Sequence, residues 1–286
     1  LKKLDILLAI FVAFAWGSNS VAVKFNLGEV PAYLSLTLRF TITSLILLPF
    51  VKIPKIKFSD LYSIAIVFSI FYVGLIYLGI NLGIDTSLAV IIIQLSAPIS
   101  IIIARFKLHE HFTLNSIIGV ALSFIGVLVI IGQPGRYNNQ FQAIIILFIA
   151  TFFCALFNIQ SRKSKNAQPL SLLCYINVIA APHLFIISYF IEGYNIVNII
   201  SNAAPIFWYT LFYSIIVSGI LSMTTWMYLL QKYPVYKVTP FSLLVPFFGT
   251  LLSTLFLNET LSWNFFIGGV VTIIGVYISN RKKRIT

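Results

Sequence analysis

Ten runs of about twenty apolar residues fill this chain, at 4–23, 31–51, 59–83, 87–106, 112–132, 140–160, 169–190, 205–229, 237–257 and 262–280. A helix of about twenty residues is long enough to cross the hydrocarbon core of a bilayer. The runs are continuously apolar instead of alternating, which argues against a β-barrel, and lipid offers an exposed backbone no hydrogen-bond partner, so helices are required. Composition agrees, with 59% hydrophobic residues, 9% charged residues and a mean hydropathy of +1.00. The expectation is an all-α integral membrane protein of ten transmembrane helices with no room for a soluble domain.

The second half of the chain repeats marks of the first. Glu110, Gly119 and Gly126 recur as Glu259, Gly268 and Gly275 at the same intervals, Thr113 matches Ser262, and Pro98 matches Pro246. Pro31 and Pro169 each follow a basic residue, Lys24 and Arg162, by seven positions. The boundary falls near 135, giving units 1–135 and 136–286 with five runs each. An odd number of crossings forces the second unit to enter the membrane from the opposite side, and such inverted repeats are a signature of secondary transporters.

Charge sets the expected orientation. With the amino terminus in the cytoplasm, the inner ends collect Lys2, Lys3, Lys52, Lys55, Lys57, Arg105, Lys107, Arg162, Lys163, Lys165, Lys232, Lys237 and the terminal Arg281, Lys282, Lys283 and Arg284. Lys24 and Arg136 stay outside, and Arg39 lies within the second run, where backbone carbonyls, an aromatic face or headgroups are its expected partners and a carboxylate on a cargo is the weaker alternative. The positive-inside rule therefore puts both termini in the cytoplasm. The net charge of +12 reads as lipid anchoring and not as a nucleic-acid signal. Cys154 and Cys174 lie in separate runs, away from any His cluster, so neither a disulfide framework nor a metal site is expected.

Gly119, Ser123 and Gly126 share one helix face, as do Gly268, Thr272 and Gly275, and small residues at that spacing let helices approach closely. Glu110 and Glu259 precede these helices, where a carboxylate complements the helix dipole. Pro98 and Pro246 lie inside their runs, where each removes a hydrogen bond and bends the helix; their repetition suggests a pair of hinges.

The stretch Trp16, Gly17, Ser18, Asn19, with Lys24 and then Arg39 and Phe40, resembles the opening helices of the EamA family in the drug/metabolite transporter superfamily. The likeness extends over nearly the whole chain, so that 1–135 and 136–286 would each be one EamA repeat. Ile80, Asn81, Leu82, Gly83, then Phe157, Asn158, Ile159, and the run from Tyr233 to Ile278 with Ser242, Leu243, Leu244, Val245, Pro246 and Asn258, Glu259, Thr260, Leu261 look most like the bacterial O-acetylserine/cysteine exporters. That resemblance implies a multi-pass protein of the bacterial inner membrane exporting amino acids or derivatives by alternating access. It also implies that the first, third and fourth helices and their repeat partners surround a central cavity.

A zwitterionic cargo needs hydrogen-bond donors and acceptors set in apolar walls. Trp16, Asn19, Tyr72, Tyr77, Asn81, Gln94, Asn158 and Trp226 are the candidate substrate-binding residues, with Asn177, Thr224 and Thr225 further polar residues inside the runs. His183 is the ion-coupling candidate, because an imidazole titrates near neutrality. The seven acids, Asp5, Glu29, Asp60, Asp85, Glu110, Glu192 and Glu259, sit at the ends of runs. They offer neither a mid-membrane carboxylate for proton antiport nor the clustered acids and bases of an enzyme. No catalytic residue and no cofactor are expected. A nucleotide-like or phosphorylated cargo is a weaker reading, since a polyanion wants several cations in the cavity, and a membrane-embedded enzyme is weaker still. The expected partners are a small-molecule substrate and the lipid bilayer, with no nucleic acid; a homodimer is compatible with the sequence.

Overall fold

The computed structural model describes residues 1–83, 89, 92–111, 113–131, 141–193, 195–257 and 263–280, and these are helical with short connections and without strands. The long helices are α1 (Lys3–Glu29), α2 (Ala32–Leu47), α3 (Phe58–Asn81), α4 (Ser96–Lys107), α5 (Leu114–Ile131), α6 (Phe141–Lys163), α7 (Pro169–Glu192), α8 (Pro205–Lys232), α9 (Val245–Leu257) and α10 (Trp263–Asn280). Seven helical segments among the described residues are long and apolar enough to cross a membrane, and Leu114–Gly126 and Phe266–Ser279 are shorter apolar helices. Large apolar side chains such as Phe106, Phe190, Leu255 and Tyr277 point outward, as lipid-facing surfaces require. Pro169 and Pro205 open α7 and α8 at the first helical position, where the missing N–H is an orphan in any helix. Both cysteines are free and buried. Glu259 and the cluster Arg281 to Arg284 lie outside the described residues.

Helix pairings come in matched sets. In the first half α1 packs on α8 and α9, and in the second α6 packs on α3 and α4, while α2 pairs with α7 and α5 with α10. The α5/α10 seam uses the small faces noted in the sequence. Ser123 Oγ donates to Thr272 O at 3.1 Å and Thr272 Oγ1 returns a bond to Ser123 O at 3.4 Å. A Cβ on Gly275 would stand 2.6 Å from Gly119 O, and one on Gly119 only 2.5 Å from Gly275 O, so the glycines are what allow the two backbones to touch. Gly17 plays the same part between α1 and α9, where an added Cβ would meet Gly249 N and Val245 O at 2.8 Å.

One end of the bundle carries most of the basic residues and is tied by charge. Asp5 of α1 accepts from Lys232 Nζ at 3.0 Å and from Tyr233 Oη at 2.6 Å. Arg162 of α6 donates to Glu110 Oε1 at 2.9 Å and to Gln231 O at 2.6 Å, and the second oxygen of Glu110 takes the Val235 N–H at 2.8 Å. Glu110 thus caps a short helix at Val235–Val238 in the other half of the chain. At the opposite end Glu192 of α7 receives the N–H groups of Tyr33 and Leu34 at 2.7 and 2.9 Å. It supplies the first turn of α2 with the anion that a helix amino end favours.

Pro98 occupies a first turn instead of a helix interior. Residues 92–94 are helical, the chain turns at Leu95, and α4 begins at Ser96, so Pro98 is its third residue. There a proline forfeits no intrahelical bond. Pro246 is the second residue of α9 but lies inside the unbroken helical run Val235–Leu252, just after its 3-10 stretch at Thr239–Leu244. Each proline follows a local departure from α geometry, a turn in one segment and a 3-10 stretch in the other.

Candidate functional site

Two π-helical segments interrupt α3 and α8, at Val67–Gly74 and Ser214–Leu221, eight residues each. A π turn holds one residue more than an α turn and is found mostly at functional sites. Both contain the pattern Ser-x4-Gly, Ser69 to Gly74 and Ser214 to Gly219. In both the glycine lies against the serine carbonyl five residues back, since a Cβ there would stand 3.1 Å from Ser69 O and 3.0 Å from Ser214 O.

These segments help wall a cavity of about 450 Å³ at the centre of the bundle. Among the described residues its lining comes from α1, α2, α3, Ala89, Ile93, Gln94, Ser96, α6, α7, α8, Ser242 and Val245, with none from α5 or α10. It reaches Leu27 and Gly28 near the end of α1 and Ile80 near the end of α3, the end of the bundle opposite the Asp5–Lys232 pair. Toward that pair it stops at Trp226, leaving about 9 Å of helix before Lys232 at 1.5 Å per residue.

Of the sequence candidates, Trp16, Asn19, Tyr72, Tyr77, Gln94, Asn158 and Trp226 meet in this cavity, together with Asn177. Asn81 does not: as the last residue of α3 it is exposed beyond the rim. His183 is also apart from the lining. Its ring bonds Ile179 O at 2.7 Å and the Tyr62 hydroxyl at 3.1 Å. Arg39 was visible as the charge within the second run; the other α2 and α7 contributions, Phe40, Thr43 and Leu173, and the paired π segments were not anticipated from the sequence. The repeated Ser-x4-Gly was the available signal for the π segments.

At the floor, the Trp226 indole N–H donates to Asn158 Oδ1 at 2.9 Å, and Asn158 Nδ2 donates to Ser100 Oγ at 3.0 Å, all three buried. Trp16 lies on Trp226 with ring centroids 5.1 Å apart. Higher up, Asn19 Oδ1 is buried without a hydrogen-bond partner. Among the described lining residues Arg39 alone carries a charge, and none is acidic. Trp226→Phe keeps a ring beside Trp16 but orphans Asn158 Oδ1, so it is expected to destabilise the protein by about 1–3 kcal/mol. Melting in detergent would read this, and adding Asn158→Leu should restore most of the loss by removing the orphaned group.

The described residues hold no cluster of three or more metal-ligating side chains. Comparison with known proteins supplies the context. The EamA-like transporter family matches residues 3–132 and again 141–281. A probable amino-acid metabolite efflux pump of Escherichia coli is 28% identical over 98% of this chain and 95% of its own length, and one from Salmonella typhimurium is 29% identical over the same shares. An uncharacterized transporter of Archaeoglobus fulgidus is 26% identical over 97% of this chain and 99% of its own length. A solved crystal structure shares the fold with a TM-score of 0.79 at 14% identity, covering 98% of this chain and 97% of that one. With its cavity set among apolar helices and the family matched twice along its length, the chain belongs to the EamA-like transporter family and is a multi-pass membrane transporter of small molecules, not an enzyme.

Proposed function

We propose that the protein exports small amino acids or their derivatives, of the cysteine or O-acetylserine kind, across a bacterial inner membrane by alternating access. The observation that carries this reading is the central cavity. Its volume falls in the range of small-molecule sites, its walls are apolar and aromatic with a few amides, and it extends toward one end of the bundle only. The efflux pumps named above support both the cargo class and the direction.

In this reading the chain crosses the membrane ten times as two inverted units, 1–135 and 136–286, with both termini in the cytoplasm. The matched helix pairings and the twin π segments support it. The basic end is then cytoplasmic, and the cavity is outward-facing. The ion pairs joining Asp5 to Lys232 and Glu110 to Arg162 close the inner end. The turn before Pro98 and the 3-10 stretch before Pro246 are the hinges about which each half reopens. His183 is structural here, as its ring is held outside the cavity, and the cargo moves down its own gradient.

Counterflow in proteoliposomes tests the proposal. Vesicles loaded with unlabelled cysteine, O-acetylserine, threonine, an aromatic amino acid or a nucleotide are diluted into the labelled counterpart. Accumulation above protein-free vesicles is expected for at least one small amino acid and not for the nucleotide. Signal with the nucleotide and none with any amino acid would overturn the cargo class.

A further inference from the structure

We infer that Arg39 is the anchor for a carboxylate on the cargo, so that the cavity takes monoanionic and zwitterionic carboxylic acids and rejects their amides and decarboxylated amines. The inference deepens the amino-acid reading above and rests on it for the cargo scaffold.

Arg39 is the eighth residue of the sixteen in α2, far from either end of the helix. A guanidinium has five N–H donors and stays charged in any protein. Here it spends part of that capacity: Nη2 reaches Ser218 Oγ at 3.5 Å, the limit of a hydrogen bond, Tyr77 is a second hydrogen-bonding neighbour, and no carboxylate among the described residues pairs with it. A desolvated, unpaired cation is expensive inside a membrane protein, and the usual remedy is a nearby anion. The side chain lines the cavity instead of facing lipid, so an anionic group on the cargo can reach it. A carboxylate matches the planar fork of the guanidinium with two parallel bonds.

Four neighbours fit this assignment. Tyr72 and Tyr77 stand close enough to feel the Arg39 charge and line the same space. Gly219 lies directly against the guanidinium, since a Cβ there would sit 3.7 Å from Nη2, in ordinary contact. Asn19 Oδ1, the buried acceptor without a partner in this cavity, suits an ammonium group. One cation and one free acceptor make a zwitterion the complementary guest. A doubly charged phosphate would leave a second charge unmatched.

The test uses the full-length protein in lipid nanodiscs, with ligand-induced thermal stabilisation as the readout of binding. Four probes differ at one group each: L-cysteine, L-cysteinamide, cysteamine and 3-mercaptopropionate, all kept reduced, with the equivalent threonine series in parallel. The wild-type protein is expected to bind the acids roughly thirtyfold or more tightly than the amide and the amine, in line with loss of a buried charge partner. In Arg39→Gln the acids should fall to the level of the amides. Arg39→Lys, which keeps the charge without the fork, should be intermediate.

Equal binding of acid and amide by the wild type overturns the inference. So does an Arg39→Gln protein that keeps the acid-over-amide preference while merely melting lower, because that is what a structural arginine would show. If Arg39→Gln does not fold, the wild-type series and Arg39→Lys decide. Binding of 3-mercaptopropionate without L-cysteine sinks the amino-acid reading and leaves the carboxylate anchor standing. Silence from every probe sinks both.

Discussion

Gly275→Ala is expected to remove nearly all folded, monodisperse protein. The new methyl would stand 2.5 Å from Ser123 N and 2.6 Å from Gly119 O, and neither is the tip of a side chain that can swing aside. The α5 and α10 backbones must separate. That breaks the reciprocal bonds between Ser123 and Thr272 in a medium where packing and hydrogen bonds, not hydrophobic burial, hold helices together. Overpacking of this kind costs on the order of 3 kcal/mol. Gly119→Ala should behave alike, with contacts at 2.5 and 2.6 Å on Gly275 O and Ser279 Cβ. Gly28→Ala is the control, because nothing lies within 4 Å of its added Cβ. Fluorescence-detected size exclusion after graded heating checks all three. A Gly275→Ala protein that elutes and melts like Gly28→Ala would show that the seam is looser than described.

The second large effect is expected at the inner end. Glu110→Ala strips Arg162 of its carboxylate and the Val235 N–H of its acceptor together, at side chains only 12% and 13% exposed. Removing one partner of a largely buried pair costs about 3–5 kcal/mol. Because the pair joins the two halves of the chain, the loss should fall mainly on the state with this end closed. A shift of about 3 kcal/mol changes a two-state ratio by roughly a hundredfold.

Cys154 lines the cavity and is the native reporter of that shift. In inside-out vesicles an impermeant maleimide should label Cys154 slowly in the wild type and much faster in Glu110→Ala. Glu110→Gln keeps an acceptor for Val235 without the charge, and should fall between the two. Unchanged labelling in Glu110→Ala would mean that the pair does not gate the cavity.

The contrast between Asn19 and Asn81 shows how far the sequence could be read. Both are amides near apolar runs. Asn19 and Asn158 had to meet other polar groups or a cavity because hydrocarbon offers an amide nothing, and the structure puts both in the lining. Asn81 ends its helix, where no such pressure acts, and it stands exposed. The small faces of α5 and α10 were legible for the same kind of reason, since glycine at that spacing has few other uses in lipid.

Prolines were legible as irregularities but not as to their form, because the turn before Pro98 and the 3-10 stretch before Pro246 carry no composition signal of their own. The pairs that close the inner end were hidden more deeply. Asp5 and Lys232 are 227 residues apart, and Glu110 and Arg162 are 52 apart, so nothing in local pattern connects them. Arg39 was visible as a charge in a run, yet only the cavity shows that it faces a vacant space and not a lipid headgroup.

The twin π segments carry a consequence for how such a chain tolerates length changes. Each is a helix with one surplus residue, and Tyr77, Met223 and Trp226 reach the cavity beyond that surplus. Deleting a single residue within either segment would let the ladder relax to regular α geometry and leave the side chains past it facing much as before, because the surplus is what is removed. The same deletion in a regular helix such as α6 turns everything past it by about 100°, and the helix would remain long and apolar enough for insertion while its polar side chains rotated toward lipid. Whether a single-codon deletion falls inside a π segment is thus something that hydropathy would overlook and that decides whether the cavity survives.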